Sequence, residues 1–165
     1  MDKLWAPWRV KYVTEVIGKT KGCVFCRIHK HKTDKKNLVF VRAKRSFAVL
    51  NLYPYNNGHV LVLPYRHVGD LSKLTPVETL DLFDLLNEAK KILDKVLHPD
   101  GYNIGMNLGR AAGAGFPGHL HIHVVPRWKG DVNFMPVLAG TKVISQSLAA
   151  LHQRLSEEQK RRSKK

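Results

Sequence analysis

The stretch GHLHIHVVPRW, Gly118 to Trp128, sets histidine at every second position, His119, His121 and His123, with Leu120, Ile122 and Val124 between and after them. Successive side chains of a β-strand point to opposite faces. The three imidazoles therefore share one face and the three aliphatic residues the other, so the stretch reads as a strand with a core side and a chemical side. At about 3.3 Å of rise per residue, neighbouring histidines stand roughly 6–7 Å apart at their α-carbons, close enough to converge on one ligand. A lone histidine on a strand is commonly a satisfied structural residue. Three in register opposite a clean aliphatic face are hard to explain by packing.

Two chemistries suit such an array. It can hold a metal, since imidazole is a common zinc ligand. It can also supply a nucleophile: a neutral imidazole attacks phosphorus, its ordinary pKa near 6.5 leaves it mostly neutral at pH 7, and flanking histidines discourage protonation of the middle ring. The preceding loop NLGRAAGAGFPG, Asn107 to Gly118, favours phosphorus. Its glycines let backbone amides approach a ligand closely, as phosphate cradles require. It matches neither the P-loop nor the dinucleotide fingerprint, so its weight comes from its position beside the histidines.

Outward from this centre, five segments read as strands: LVFVR (Leu38–Arg42), SFAVLN (Ser46–Asn51), HVLVLP (His59–Pro64), YNIGMNL (Tyr102–Leu108) and HLHIHVV (His119–Val125). They come in neighbouring runs with short links, which predicts an antiparallel sheet. One helix is well specified. Thr75 can cap it, Pro76 suits its first position and Glu78 completes a capping box. Leu82, Leu86, Ala89, Leu93 and Val96 then recur at helical spacing until His98-Pro-Asp-Gly101 stops it. A second helix is predicted from about Ser145 to Glu158. The fold class is thus α+β: an antiparallel five-stranded sheet with one long packed helix and a C-terminal helix. His29 to Lys36 reads as an irregular lysine-rich connection, and the end of the chain past about Gln159 as a frayed, solvated tail.

The 165 residues need no disulfide framework to bury a core, and a hydrophobic share of 44% excludes a disordered chain. No apolar run approaches the roughly 20 residues that span a bilayer, so no membrane partner is expected. The start, MDKLWAPWRVKYV, lacks an apolar segment ahead of a small-residue cleavage site, and the expected location is the cytoplasm. The net charge of +15 makes polyanions plausible partners, nucleotides above all; nucleic acid is possible but not favoured on charge alone. Cys23-x-x-Cys26 reads as half of a zinc site, as a redox pair or as two reduced core thiols. A zinc site needs two further ligands, with His29, His31, His67 and His119 as candidates. Trp5, Trp8 and Trp128 are more readily packing anchors than stacking platforms, the first two docking an N-terminal arm.

His119-Leu-His-Ile-His-Val-Val matches the signature of the histidine triad superfamily, and Gly58-His59-Val-Leu-Val-Leu-Pro64 resembles its other characteristic strand. The resemblance runs from about Cys23 to Asp131. Together with LWAPWR, the CxxC and NLGRAAGAG it looks like the diadenosine polyphosphate phosphorylase or hydrolase branch. The expected organisation of the chain is an N-terminal arm (1–22), a HIT domain (23–145), and a C-terminal helix with basic tail (146–165). The resemblance implies nucleotidyl transfer or hydrolysis through a covalent nucleotidyl-histidine, with His121 as nucleophile and with His123 and His59 on phosphate oxygens. Asn51 matches a position contacting the ribose and Asn107 one near the phosphates, while Leu50 and Phe47 would help line the base pocket. Where many relatives place a glutamine and a serine or threonine before the triad, this chain has Gly115-Phe116-Pro117. Backbone amides of Gly113, Ala114 and Gly115 would have to substitute. In zinc-containing members the ligands after the CxxC map to His67 and His119, giving a structural zinc on Cys23, Cys26, His67 and His119 and leaving His29 and His31 in solvent. Homodimers are typical of such proteins. The rival readings are a non-catalytic, basic nucleic-acid- or nucleotide-binding zinc protein and a hydrolase whose histidines hold a catalytic zinc.

Overall fold

A computed structural model describes residues 22–131 and 143–164. The strands are β1 (Val39–Arg42), β2 (Ser46–Leu50), β3 (Val60–Pro64), β4 (Gly101–Met106) and β5 (Ile122–Arg127); the helices are α1 (Val24–His31), α2 (Asp34–Asn37), α3 (Pro76–Leu97) and α4 (Leu148–Arg162). All strand pairs are antiparallel and the order is β1-β2-β3-β5-β4. The predicted fold class is the one observed.

The sheet is buried on both faces except along its edge strand β4, and alternation along each strand decides what goes where. Ala48, Leu50, Val60, Val62, Leu120, Ile122 and Val124 join Leu82, Leu86, Ala89 and Leu93 of α3 in the larger core. Phe47, Val49, Leu61 and Leu63 face the other way and pack with Phe25 of α1. β2 and β3 are buried at every position, which is why they read as continuous apolar runs rather than as a polar-apolar alternation. The capping box of α3 is present: Thr75 Oγ1 accepts from the Glu78 amide at 3.3 Å and Glu78 Oε2 from the Thr75 amide at 2.9 Å.

Three expectations are corrected. The ladder of β5 begins at Ile122 rather than His119, although the side-chain alternation holds from Leu120 onward. β3 ends at Pro64, which has no N–H to extend the pairing, and the Leu120 amide donates instead to the Val68 carbonyl at 2.6 Å. The stretch expected to be an irregular connection, His29 to Lys36, instead holds the end of α1 and most of α2; Lys32 and Leu38, at φ 49° and 61°, stop the two helices. The C-terminal helix runs from its cap at Ser147 to Arg162, past the expected end, because Arg161 pairs with Glu158 and Arg162 with Glu88. Leu151 and Leu155 of α4 lie in the larger core. The expected docking of Trp5 and Trp8 falls outside the described residues. Among the described residues no helix is long and apolar enough to cross a membrane.

Candidate active site and metal centre

The histidine face of the triad opens on a cavity of about 1030 Å³. α1 supplies Val24, Phe25 and Ile28 to its wall, β2 and the following loop supply Leu50, Asn51 and Leu52, and the β4–β5 connection supplies Asn107, Gly113 and Gly115. His121 and His123 line it as well.

Each histidine is held in a definite tautomer. His121 Nδ1 lies 2.8 Å from the carbonyl of His119, so Nδ1–H donates and Nε2 keeps the lone pair. Burial lowers the His121 pKa from the ordinary imidazole value and outweighs the opposing effect of that carbonyl, so the ring is neutral. The like charge of its neighbours is not what keeps it so. Phe25 packs edge-on or tilted against His119 and His121, with ring centres 5.4 Å from each.

His123 is oriented from behind. The Tyr55 amide donates to His59 Nδ1 at 3.0 Å, with Asn51 Nδ2 a further 3.2 Å neighbour, so the proton of neutral His59 is on Nε2. It is donated to His123 Nδ1 at 2.9 Å, which places the His123 proton on Nε2; the 3.5 Å approach of Asn107 Nδ2 to that atom is then between two donors and is not a hydrogen bond. Tyr55 stacks on His123 at 15° between ring planes. His59 is fully buried and does not line the cavity. The resemblance implied a contact with a phosphate oxygen; the structure instead places His59 behind His123, away from the cavity.

The other expected residues divide. Asn51 is at the cavity, but its Oδ1 also accepts from the Tyr53 amide at 3.0 Å and so shapes the loop. Phe47 is fully buried, stacked on Tyr65 at 5.5 Å, and does not line the cavity. Leu50 lines it while belonging to the larger core. Gly113 and Gly115 line it and Ala114 does not, and the amides of Gly113 and Ala114 close the loop on the carbonyls of Arg110 and Gly109. Two of the three amides expected as a phosphate cradle are thus spent within the loop. Val24, Phe25 and Ile28 were missed as cavity residues. Their spacing along one helical face was the available signal, obscured by the lysines and histidines that follow.

Cys23, Cys26, His67 and His119 converge, their ligand atoms all within 4.8 Å of one another. In a tetrahedral zinc site, neighbouring sulfur and nitrogen ligands stand about 3.5 Å apart. Here Cys23 Sγ is 3.3 Å from His119 Nδ1, and Cys26 Sγ is 3.6 Å from that atom and 3.4 Å from His67 Nδ1. His119 Nε2 donates to the Pro64 carbonyl at 2.9 Å, which fixes Nδ1 as the ligating nitrogen. Burial pushes His119 down to about 4 and so keeps it in the neutral form a ligand must have. The residues fit a closed metal site. His31 is exposed as expected, whereas His29 is half-buried and stacked on Tyr65, ring centres 4.0 Å apart.

Residues 32–130 match the HIT domain family. The chain belongs to that family. This HIT protein is 41% identical over 165 aligned residues, 96% of its length and 84% of the relative's, to a protein of Mycobacterium tuberculosis named AP-4-A phosphorylase. It is 44% identical over 93 residues, 56% of its length and 50% of the relative's, to the bis(5'-nucleosyl)-tetraphosphatase (asymmetrical) of Schizosaccharomyces pombe. Among solved structures it resembles a Zn-bound histidine triad family protein from Mycobacterium smegmatis, with a TM-score of 0.69, 25% identity, and coverage of 87% of this chain and 96% of that one.

Proposed function

We propose that this HIT protein is an enzyme that transfers a nucleotidyl group from a dinucleoside polyphosphate of the diadenosine tetraphosphate type through a covalent nucleotidyl-histidine at His121. One observation carries the reading: the His121 Nδ1–H is committed to a main-chain carbonyl, leaving Nε2 as the basic nitrogen of a neutral ring that lines the cavity. Nε2 bonds to the α-phosphorus, the bond from that phosphorus to the bridging oxygen breaks, and a nucleoside polyphosphate leaves as an anion. His123, its proton directed outward by Tyr55 and His59, donates Nε2–H to a phosphate oxygen as charge develops. The base lies against Val24, Phe25 and Ile28. In the second half, inorganic phosphate attacks the adduct and releases a nucleoside diphosphate; the likeness spanning 96% of the chain supports phosphate over water as acceptor.

The test is incubation with α-labelled diadenosine tetraphosphate with and without phosphate. Expected are ADP and ATP only when phosphate is present, and acid-labile label on the wild type but not on His121→Ala. A His121→Ala protein that turns over at the wild-type rate overturns the mechanism, and phosphate-independent AMP reassigns the acceptor to water.

The same reading includes a structural zinc on Cys23, Cys26, His67 and His119, which when bound supplies a cross-link and takes no part in the chemistry. Elemental analysis should find one zinc per chain, and none in Cys26→Ser. A homodimer in the cytoplasm completes the reading, and sedimentation of the purified protein as a monomer would contradict its first part.

A further inference from the structure

One end of the cavity carries charge that the chemistry at His121 does not use. Arg27 and His31 of α1 and Lys36 of α2 line it there, all three exposed, and no aspartate or glutamate is among the described residues that line the cavity. The acid nearest to them in sequence, Asp34, is engaged by Arg42, whose Nη2 donates to Oδ1 at 2.6 Å. Phe25, Ile28 and Val49 give the same cavity an apolar lining.

The sheet order sets the distance. α2 leads through Leu38 into β1 at one edge, whereas His123 stands on β5, three strand spacings away, or about 14 Å. At that backbone separation Lys36 and His123 face different parts of a bound nucleotide. A polyphosphate leaving the α-phosphorus runs past Asn107 and Gly115, which line the cavity in the connection after β4, at the other edge from Lys36. The cationic end is therefore placed for an anion carried elsewhere on the nucleotide. The Leu50 amide donates to the Leu38 carbonyl at 3.0 Å, so the segment bearing Lys36 runs beside Asn51, the residue matching a ribose position.

We propose that Arg27, His31 and Lys36 form a subsite for a phosphate on the 2′ or 3′ oxygen of the ribose, in a nucleotide whose 5′ phosphorus is presented to His121. The inference rests on the cavity being a nucleotide site. Its substrate class is ribose-phosphorylated nucleotides, either monomers with a terminal ribose phosphate or the 5′ end of an oligonucleotide, in which the 3′ group is a phosphodiester.

Calorimetric affinities of AMP, adenosine 2′,5′-bisphosphate, adenosine 3′,5′-bisphosphate and 5′-phosphotriadenylate, measured for the wild type and for Arg27→Ala/Lys36→Ala, test it. At least one ribose-phosphorylated ligand should bind the wild type about five- to tenfold more tightly than AMP, as two exposed charge pairs allow. That preference should shrink with added salt and fall to within about twofold of unity in the double variant, whose altered side chains are exposed and leave the core untouched. Tighter binding of the trinucleotide than of either bisphosphate assigns the subsite to a nucleic-acid linkage, and the reverse assigns it to a monomer. Equal affinities for all four ligands, or a preference that survives the double substitution, overturns the proposal. Loss of the His121 adduct with ligand discrimination intact would overturn the catalytic reading alone.

Discussion

The nucleophilic role proposed for His121 rests on two separable features, a buried ring and a main-chain acceptor at residue 119. Burial lowers its pKa from 6.5, so the neutral form persists below that pH. The acid limb of kcat/KM assigned to this ring should accordingly fall below pH 6.5, and a limb at or above 6.5 in a pH-rate profile would contradict the assignment. The same sign holds for stability: an imidazole with a depressed folded-state pKa binds its proton more readily when unfolded, so its contribution is lost as pH falls below 6.5. In the proposed mechanism His59 stands one step back. His59→Ala should lower kcat about 10- to 100-fold, as loss of an orienting partner does, with a smaller change in KM in steady-state kinetics. The alternation of His119, His121 and His123 was legible from the sequence because strand geometry has period two. The burial of His59 behind His123 was not, since nothing local distinguishes a histidine that touches substrate from one that holds its neighbour.

Among the elements, α3 was the most legible and α1 the least, and the difference lies in their starts. Thr75, Pro76 and Glu78 announce a helix start in residue types that local chemistry favours there. α1 and α2 start after Cys23 and Thr33 with no side-chain cap, while these two and α3 all end on a left-handed residue other than glycine or asparagine, Lys32, Leu38 and His98. The α3 cap also predicts a pH response. Arg66, first, and the Thr75 amide hold the buried Glu78 carboxylate down to about 2, so its contribution is present above about pH 4.5 and is lost as pH falls toward 2. Glu78→Gln should cost about 1–2 kcal/mol in urea unfolding at pH 7 and markedly less at pH 3. An equal cost at both pH values would show that the charge is immaterial.

At the scale of the whole molecule, the cysteine–histidine cluster ties together three regions that are distant in sequence: α1, the segment after β3 and the entry to β5. Cys23 and His119 are 96 residues apart. A metal there closes long loops, which raises stability chiefly by restricting the unfolded chain. Chelation of the purified protein should therefore lower its melting temperature, and restored zinc should return it; an unchanged melting curve would deny the cluster that role. The five-stranded sheet was legible because its apolar runs are spaced by turns, and the cavity was not, because it is assembled from α1, β2 and the β4–β5 loop, whose nearness only folding creates. Residues 120–124 alternate between the core beneath α3 and the cavity, so their number matters more than their identities. A conservative exchange at Leu120 or Ile122 alters one contact, whereas an in-frame loss of a single codon just before Ile122 would rotate the preceding residues to the wrong side and drive imidazoles into the space beneath α3.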